Sequence, residues 1–209
     1  MSKSGKQNSN GVDAADKPRK KFTRDFIDSL VIAFVIAMII RVLLFSAYKI
    51  PSGSMLETLQ IGDHLLVSKI SYLLGDPQFG DIAVFEYPLE PDKDYIKRVI
   101  GMPGDRIEIV DRVIYRNGLP LKEEYKKLVN YYSMNSIADN IPEFTVPEGQ
   151  YLMLGDNRDQ SLDGRFWGFV SRKSFKGKAF IIYWSKESHA GVAGFVKGIR
   201  WNRLLNFVH

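Results

Sequence analysis

The chain has 209 residues, 45% of them hydrophobic and 25% charged, enough for one well-buried domain and a short extra segment but crowded for two full domains. It has no cysteine, which excludes a disulfide framework, a cysteine-based zinc site and a thiol nucleophile. The histidines are His64, His189 and His209 only, a poor basis for a three-histidine metal centre or a histidine-based triad, and no metal or other cofactor is expected.

The formal charge of +5 would suit nucleic acid if it were spread over the domain, but it is concentrated at one end. Residues 1–24 hold Lys3, Lys6, Lys17, Arg19, Lys20, Lys21 and Arg24 against Asp13 and Asp16, so this tail carries the whole excess and the remainder is neutral. No nucleic-acid partner is expected. The same tail is rich in Ser, Gly, Asn, Asp and Lys and poor in large apolar residues, so it reads as disordered.

Residues 25–48 read as a transmembrane anchor. A helix of about 20 residues reaches about 30 Å, the thickness of a bilayer core. Between Ser29 and Ala47 the twelve Leu, Ile, Val and Phe residues favour insertion by about 0.3–0.6 kcal/mol each, against a cost of about 2.5–3.5 kcal/mol for an arginine at the centre. Arg41 lies towards the far end, where its stem can snorkel to the headgroups. A soluble core helix would show a polar face, which Leu30–Ile40 lacks, and the run exceeds the apolar region of a cleaved signal peptide. The basic tail then stays in the cytoplasm, and residues 49–209 form a domain on the opposite side of the membrane.

That domain reads as strands. Gly62-Asp63, Gly80-Asp81 and Gly104-Asp105 each precede a short β-rich run, over 64–67, 82–85 and 106–110. Asn117-Gly118 marks a hairpin after the run ending at Arg116. Further strands are expected over 151–154 and 179–184, while 70–74 is ambiguous. The predicted class is mainly β, an antiparallel barrel-like or sandwich domain behind one N-terminal transmembrane helix. The closing stretch 190–209 mixes aromatic and basic residues, and suits either a membrane-surface segment or an amphipathic tail packed on the domain.

Two stretches can carry chemistry. Ile50-Pro51-Ser52-Gly53-Ser54-Met55 directly follows the apolar segment and can present a hydroxyl on a sharp turn, although Ser-Gly-Ser is more often a plain loop. A serine is a poor nucleophile until a base activates it. In the strand-like run Asp94-Tyr95-Ile96-Lys97-Arg98, Lys97 and Arg98 point to opposite faces. An arginine stays charged almost anywhere, whereas a lysine taken from water can lose its proton and act as a base. Taken alone, Lys97 reads as a solvated strand residue.

Together these stretches resemble bacterial type I signal peptidases (leader peptidases), membrane-bound serine proteases with a Ser-Lys dyad. Three boxes carry the resemblance in order: residues 50–55 with Thr58-Leu59; Asp94–Arg98 with Gly101-Met102-Pro103-Gly104-Asp105; and Gly155–Arg165 with Trp167-Gly168. The resemblance implies that Ser54 is the nucleophile and Lys97 the general base, with the Ser54 N–H and the Ser52 hydroxyl forming the oxyanion hole. It implies that Ser161 orients Lys97 through its hydroxyl, and that Asp156, Arg158, Asp163 and Arg165 give ionic support. Ile50, Pro51, Tyr95 and Ile96, flanking the dyad, are expected to wall the substrate pockets. The implied activity is removal of signal peptides from exported preproteins after small residues of the Ala-X-Ala type, at the outer face of the bacterial cytoplasmic membrane. Its partners would be preprotein signal peptides and the phospholipid bilayer. Glu57, Gln160 and Gly164 depart from the family's usual proline, asparagine and serine.

Overall fold

A computed structural model describes residues 19–127, 138–187 and 198–208. Helix α1 (Arg19–Leu44) is followed in the chain by strands β1 (Phe45–Lys49) and β2 (Asp63–Ser68), then by helix α2 (Ile70–Leu74), β3 (Ile82–Tyr87) and β4 (Glu90–Gly101). Next come β5 (Arg106–Val110), β6 (Val113–Arg116), β7 (Leu119–Pro120), β8 (Ile141–Thr145) and β9 (Gln150–Leu154). The chain continues through helix α3 (Gly164–Trp167), β10 (Phe169–Ser171), β11 (Phe175–Ser185) and β12 (Asn206–Phe207).

The described residues divide into two compact units, one ending at Ile40 and the other beginning at Arg41. Asp25–Leu44 marks the part of α1 that is long and apolar enough to cross a membrane, at 20 residues or about 30 Å. Its Phe26, Leu30, Ile32 and Phe34 are all exposed, which suits a lipid surrounding rather than water. The helix does not keep to the expected limits of 25 and 48. It begins at Arg19, inside the stretch read as a disordered tail, and residues 45–48 leave it to pair as β1 with β2, Phe45 opposite Ser68 through Lys49 opposite His64. The aromatic residues Phe45 and Tyr48, which suit the end of a membrane helix, suit an edge strand equally. Residues 1–18 of the expected tail lie outside the described residues.

The second unit is antiparallel β throughout its named ladders. One sheet runs β1-β2-β11-β3-β4-β9-β10, with β12 also paired to β11, and a smaller sheet runs β7-β6-β5-β8. The Gly-Asp signals fall where strands begin, because Gly62, Gly80 and Gly104 each adopt positive φ and the next Asp turns back onto the loop. Asp105, for example, accepts from the Met102 N–H at 2.7 Å. Asn117 and Gly118, both at positive φ, close the β6–β7 hairpin. A second tight hairpin at Asp111-Arg112 joins β5 to β6 without any glycine. The ambiguous 70–74 is helical.

Three apolar clusters hold these sheets. One sits under the serine loop and contains Ile50, Met55, Leu59, Leu65, Val67, Ile82 and Val84. A second, around Phe85, Val99, Tyr151, Met153 and Phe175, lies beneath the central strands. The third joins the two sheets through Ile100, Ile107, Ile109, Ile114, Leu152 and Leu154. The C-terminal stretch is docked on the domain over its described part, Phe207 lying opposite Ile181 of β11; residues 188–197 and 209, including His189 and His209, lie outside the described residues.

Candidate active site

The serine loop is placed by what it buries. Met55 (1% exposed) and Leu59 (0%) sink into the first cluster on one side of Ser54 and Ile50 (2%) does so on the other, so the intervening residues arch outward. Burying three such side chains contributes on the order of 1.5–3 kcal/mol each, which fixes the loop without a regular element. Ile50 is therefore part of the floor beneath the loop, not a wall of the cleft as expected, because the first residue of the box is the one that turns into the core.

Strand β4 brings Lys97 to the serine loop. Lys97 pairs in register with Ala83 of β3, and its Nζ donates to Ser54 Oγ at 2.5 Å, 43 residues earlier in the chain. The lysine is 4% exposed. Burial pushes its amine down from the ordinary lysine range to about 8, while the Asp163 and Asp156 carboxylates pull it upward and the Arg165 guanidinium lowers it. A neutral Lys97 reverses the contact and accepts the Ser54 hydroxyl proton, which is what a general base must do within hydrogen-bond reach. The pair opens onto a cleft of about 370 Å³ lined by Pro51, Ser52, Tyr95, Ile96, Gln160 and Leu162 among others.

The neighbouring Arg98, pointing the other way, carries the frame. Its Nε and Nη2 grip Asp156 at 2.9 and 2.7 Å, its Nη1 donates to Gly80 O at 2.9 Å, and its guanidinium lies 3.9 Å from the Tyr125 ring centre. Asp156 in turn accepts from Thr58 Oγ1 at 2.5 Å, which ties the frame to the end of the serine loop. Arg158 forks onto Glu123 at 2.9 and 2.5 Å and donates to Gly155 O at 3.0 Å. Asp163 accepts Arg165 Nε at 2.9 Å and Gly155 N–H at 3.0 Å. Each buried arginine thus meets a carboxylate in a two-pronged geometry, which is what keeps buried charge tolerable.

Ser161 differs from expectation. Its hydroxyl is buried without a hydrogen-bond partner among the described residues, and Lys97 Nζ is engaged by Ser54 instead. Close packing against Gly155 sets its position: a Cβ built on Gly155 would lie within 2.5 Å of Ser54 O and nearer still to Ser161 Oγ. The departures from the family pattern are accommodated locally. Glu57 pairs with Lys127, Gln160 lines the cleft, and a Cβ on Gly164 would meet Leu152 at 2.8 Å, so glycine suits that tight position. Sequence reasoning missed Asn157, Glu123, Leu162 and the Asp63–Arg203 pair at 2.6 Å. Asn157 and Leu162 fall inside the third box and Asp63 reads only as part of a turn, but no pattern in the chain announces Glu123 or the pairing of Asp63 with Arg203.

A family model described as "Signal peptidase, peptidase S26" matches residues 23–184, spanning all three boxes and the strands that carry them. The chain belongs to the signal peptidase, peptidase S26, family. It is similar to the probable signal peptidase I-1 of Synechocystis sp., with 37% identity over 182 residues covering 84% of this chain and 89% of that protein. It is 35% identical to the signal peptidase I of Aquifex aeolicus over 221 residues, covering 80% of this chain and 84% of that one. A crystal structure of a signal peptidase I from Enterococcus faecalis V583 shares 35% identity, covering 50% of this chain and 97% of that chain, with a TM-score of 0.41. The protein is accordingly an enzyme of signal-peptide processing, a peptide-bond hydrolase with one apolar N-terminal helix.

Proposed function

We propose that this peptidase cleaves by a Ser54–Lys97 dyad. The observation that carries the reading is the 2.5 Å contact between Lys97 Nζ and Ser54 Oγ, with a buried lysine held to about 8, at the edge of a cleft. Ser54 Oγ attacks the scissile carbonyl as Lys97 takes its proton, and the oxyanion meets the Ser54 N–H and the Ser52 hydroxyl. Lys97 then protonates the leaving amine, the acyl group remains on Ser54, and Lys97 activates the water that releases it.

Pro51, Tyr95 and Ile96, with Leu162, give the cleft apolar walls, so shallow pockets there admit small side chains of the Ala-X-Ala type. Asp25–Leu44 serves as a single-pass anchor in the bacterial cytoplasmic membrane. The basic N-terminal tail keeps that end in the cytoplasm and the β domain works on the outer side. The bilayer and preprotein signal peptides are its partners, and its chemistry needs no cofactor.

Cleavage of a synthetic preprotein in detergent by the wild type, Ser54→Ala and Lys97→Ala, each checked for folding, tests the reading. Cutting after the small residue by the wild type and its loss in both variants is expected. Retained cleavage by a folded Lys97→Ala enzyme refutes the dyad.

A further inference from the structure

The peptide bond between Gly53 and Ser54 is gripped from behind. Asn157 is fully buried and is not among the residues lining the cleft. Its Nδ2 donates to Gly53 O at 2.9 Å, and its backbone N–H donates to Ser54 O at 3.1 Å. Leu56 N–H also donates to Gly53 O, at 3.2 Å. Asn157 is itself held, since Gln160 Oε1 accepts from the same Nδ2 at 3.3 Å and residue 157 bridges to Lys127.

The Gly53 carbonyl and the Ser54 N–H belong to one planar trans peptide and therefore point in opposite directions. Donors placed on the carbonyl aim the N–H away from Asn157. They also polarise it, because hydrogen bonds in a chain strengthen one another. Among the described residues the Ser54 N–H donates to no protein acceptor. An N–H with a fixed direction, a polarised peptide and no acceptor of its own is what a developing oxyanion requires. We infer that Asn157 is a positioning residue for the oxyanion hole, setting the direction and donor strength of the Ser54 N–H through the Gly53 carbonyl. The inference rests on Ser54 being the nucleophile, as proposed above.

Asn157→Leu removes the donor while keeping the branched shape and heavy-atom count of the side chain, and adds no charge that would disturb Lys97. In the full chain in detergent, kcat and KM for a synthetic preprotein are measured on the alkaline plateau of each enzyme. The affinities for a peptide aldehyde, which forms a tetrahedral oxyanion on the serine, and for the same peptide as an unreactive carboxamide are measured alongside. The expected result is a kcat lowered about 10- to 100-fold, below the effect of deleting an oxyanion donor outright, with KM within about twofold. Aldehyde affinity falls by a similar factor and carboxamide affinity does not change. Equal weakening of aldehyde and carboxamide would mean that Asn157 only holds the shape of the cleft, and unchanged aldehyde affinity would mean that it does nothing for the oxyanion; either overturns the inference. If Asn157→Leu fails to fold, Asn157→Ser carries the same comparison. Ser54→Ala separates the two levels: cleavage retained there removes the nucleophile and this inference with it, whereas cleavage lost there with aldehyde affinity intact in the Asn157 variant removes this inference alone.

Discussion

Under the proposed dyad mechanism, the position of the Lys97 proton sets when the enzyme works. With the amine held to about 8 by burial, about one tenth of the enzyme has a neutral lysine at pH 7 and about nine tenths at pH 9. kcat/KM for a preprotein should therefore rise about tenfold between those values and level off. An ordinary lysine near 10.4 would instead give about a hundredfold rise over the same interval and no plateau. The same shift is a stability statement. Because the folded-state value lies below the unfolded one, the unfolded chain binds more protons between about 8 and 10.4, and stability rises with pH through that window. The burden of burying the lysine is fully present below about pH 8 and amounts to about 3 kcal/mol. Lys97→Met should therefore stabilise the folded domain at pH 7, by up to about that amount less the lost contact to Ser54, with the gain shrinking towards pH 10.4. Urea unfolding of wild type and Lys97→Met at pH 7 and pH 10, beside the pH–rate profile, gives both readings. A rate still climbing steeply at pH 10, or a methionine variant equally stabilised at both pH values, would refute the argument.

Other substitutions test the surroundings of the dyad. Gly155→Ala drives a methyl group against Ser54 O and Ser161, so we expect a loss of about 1–3 kcal/mol in thermal unfolding and a fall in kcat/KM of about a hundredfold from displacement of Ser54. Arg98→Met strands Asp156, which is 0% exposed, and should cost about 3–5 kcal/mol by urea titration; a loss under about 1 kcal/mol would show that Thr58 alone suffices for that carboxylate. Arg203→Met frees Thr58 O, which Arg203 Nη2 now bonds at 2.8 Å, and removes one partner of buried Asp63. A loss of about 1–3 kcal/mol is expected, with activity failing at lower temperature than in the wild type.

Local signals in the chain were enough to find most of the strands, because Gly-Asp turns and Asn117-Gly118 demand backbone conformations that few other residues accept. The limits of α1 were harder to read. Phe45–Tyr48 looks like more membrane helix, and only pairing with β2 gives it to the sheet; that preference is tertiary and has no local trace. The neighbours Lys97 and Arg98 were separable by strand alternation alone, and the structure sends one to Ser54 and the other to Asp156. What alternation could not supply was depth. Ile50 reads as a pocket wall by adjacency to the serine, yet its side chain turns beneath the loop at 2% exposure. Glu123 gave no signal, and Asp63 signalled only a turn, because a carboxylate's value here depends on the arginine that folding delivers to it from 35 or 140 residues away.

The pairing of those arginines explains how a lysine can lose its charge in so ionic a neighbourhood. Unpaired, the Asp156 and Asp163 carboxylates near Lys97 would hold its proton firmly, as each does raise its affinity. Asp156 is gripped by Arg98 and Asp163 by Arg165, so much of each negative charge is answered by an adjacent positive one. Arg165 also opposes Lys97's charge directly. With the attractive and repulsive contributions partly offset, burial becomes the largest remaining influence, and it favours the neutral amine. The paired residues of the third box thus do more than brace the loop: by closing their charges on one another, they leave the lysine to be governed by its loss of water.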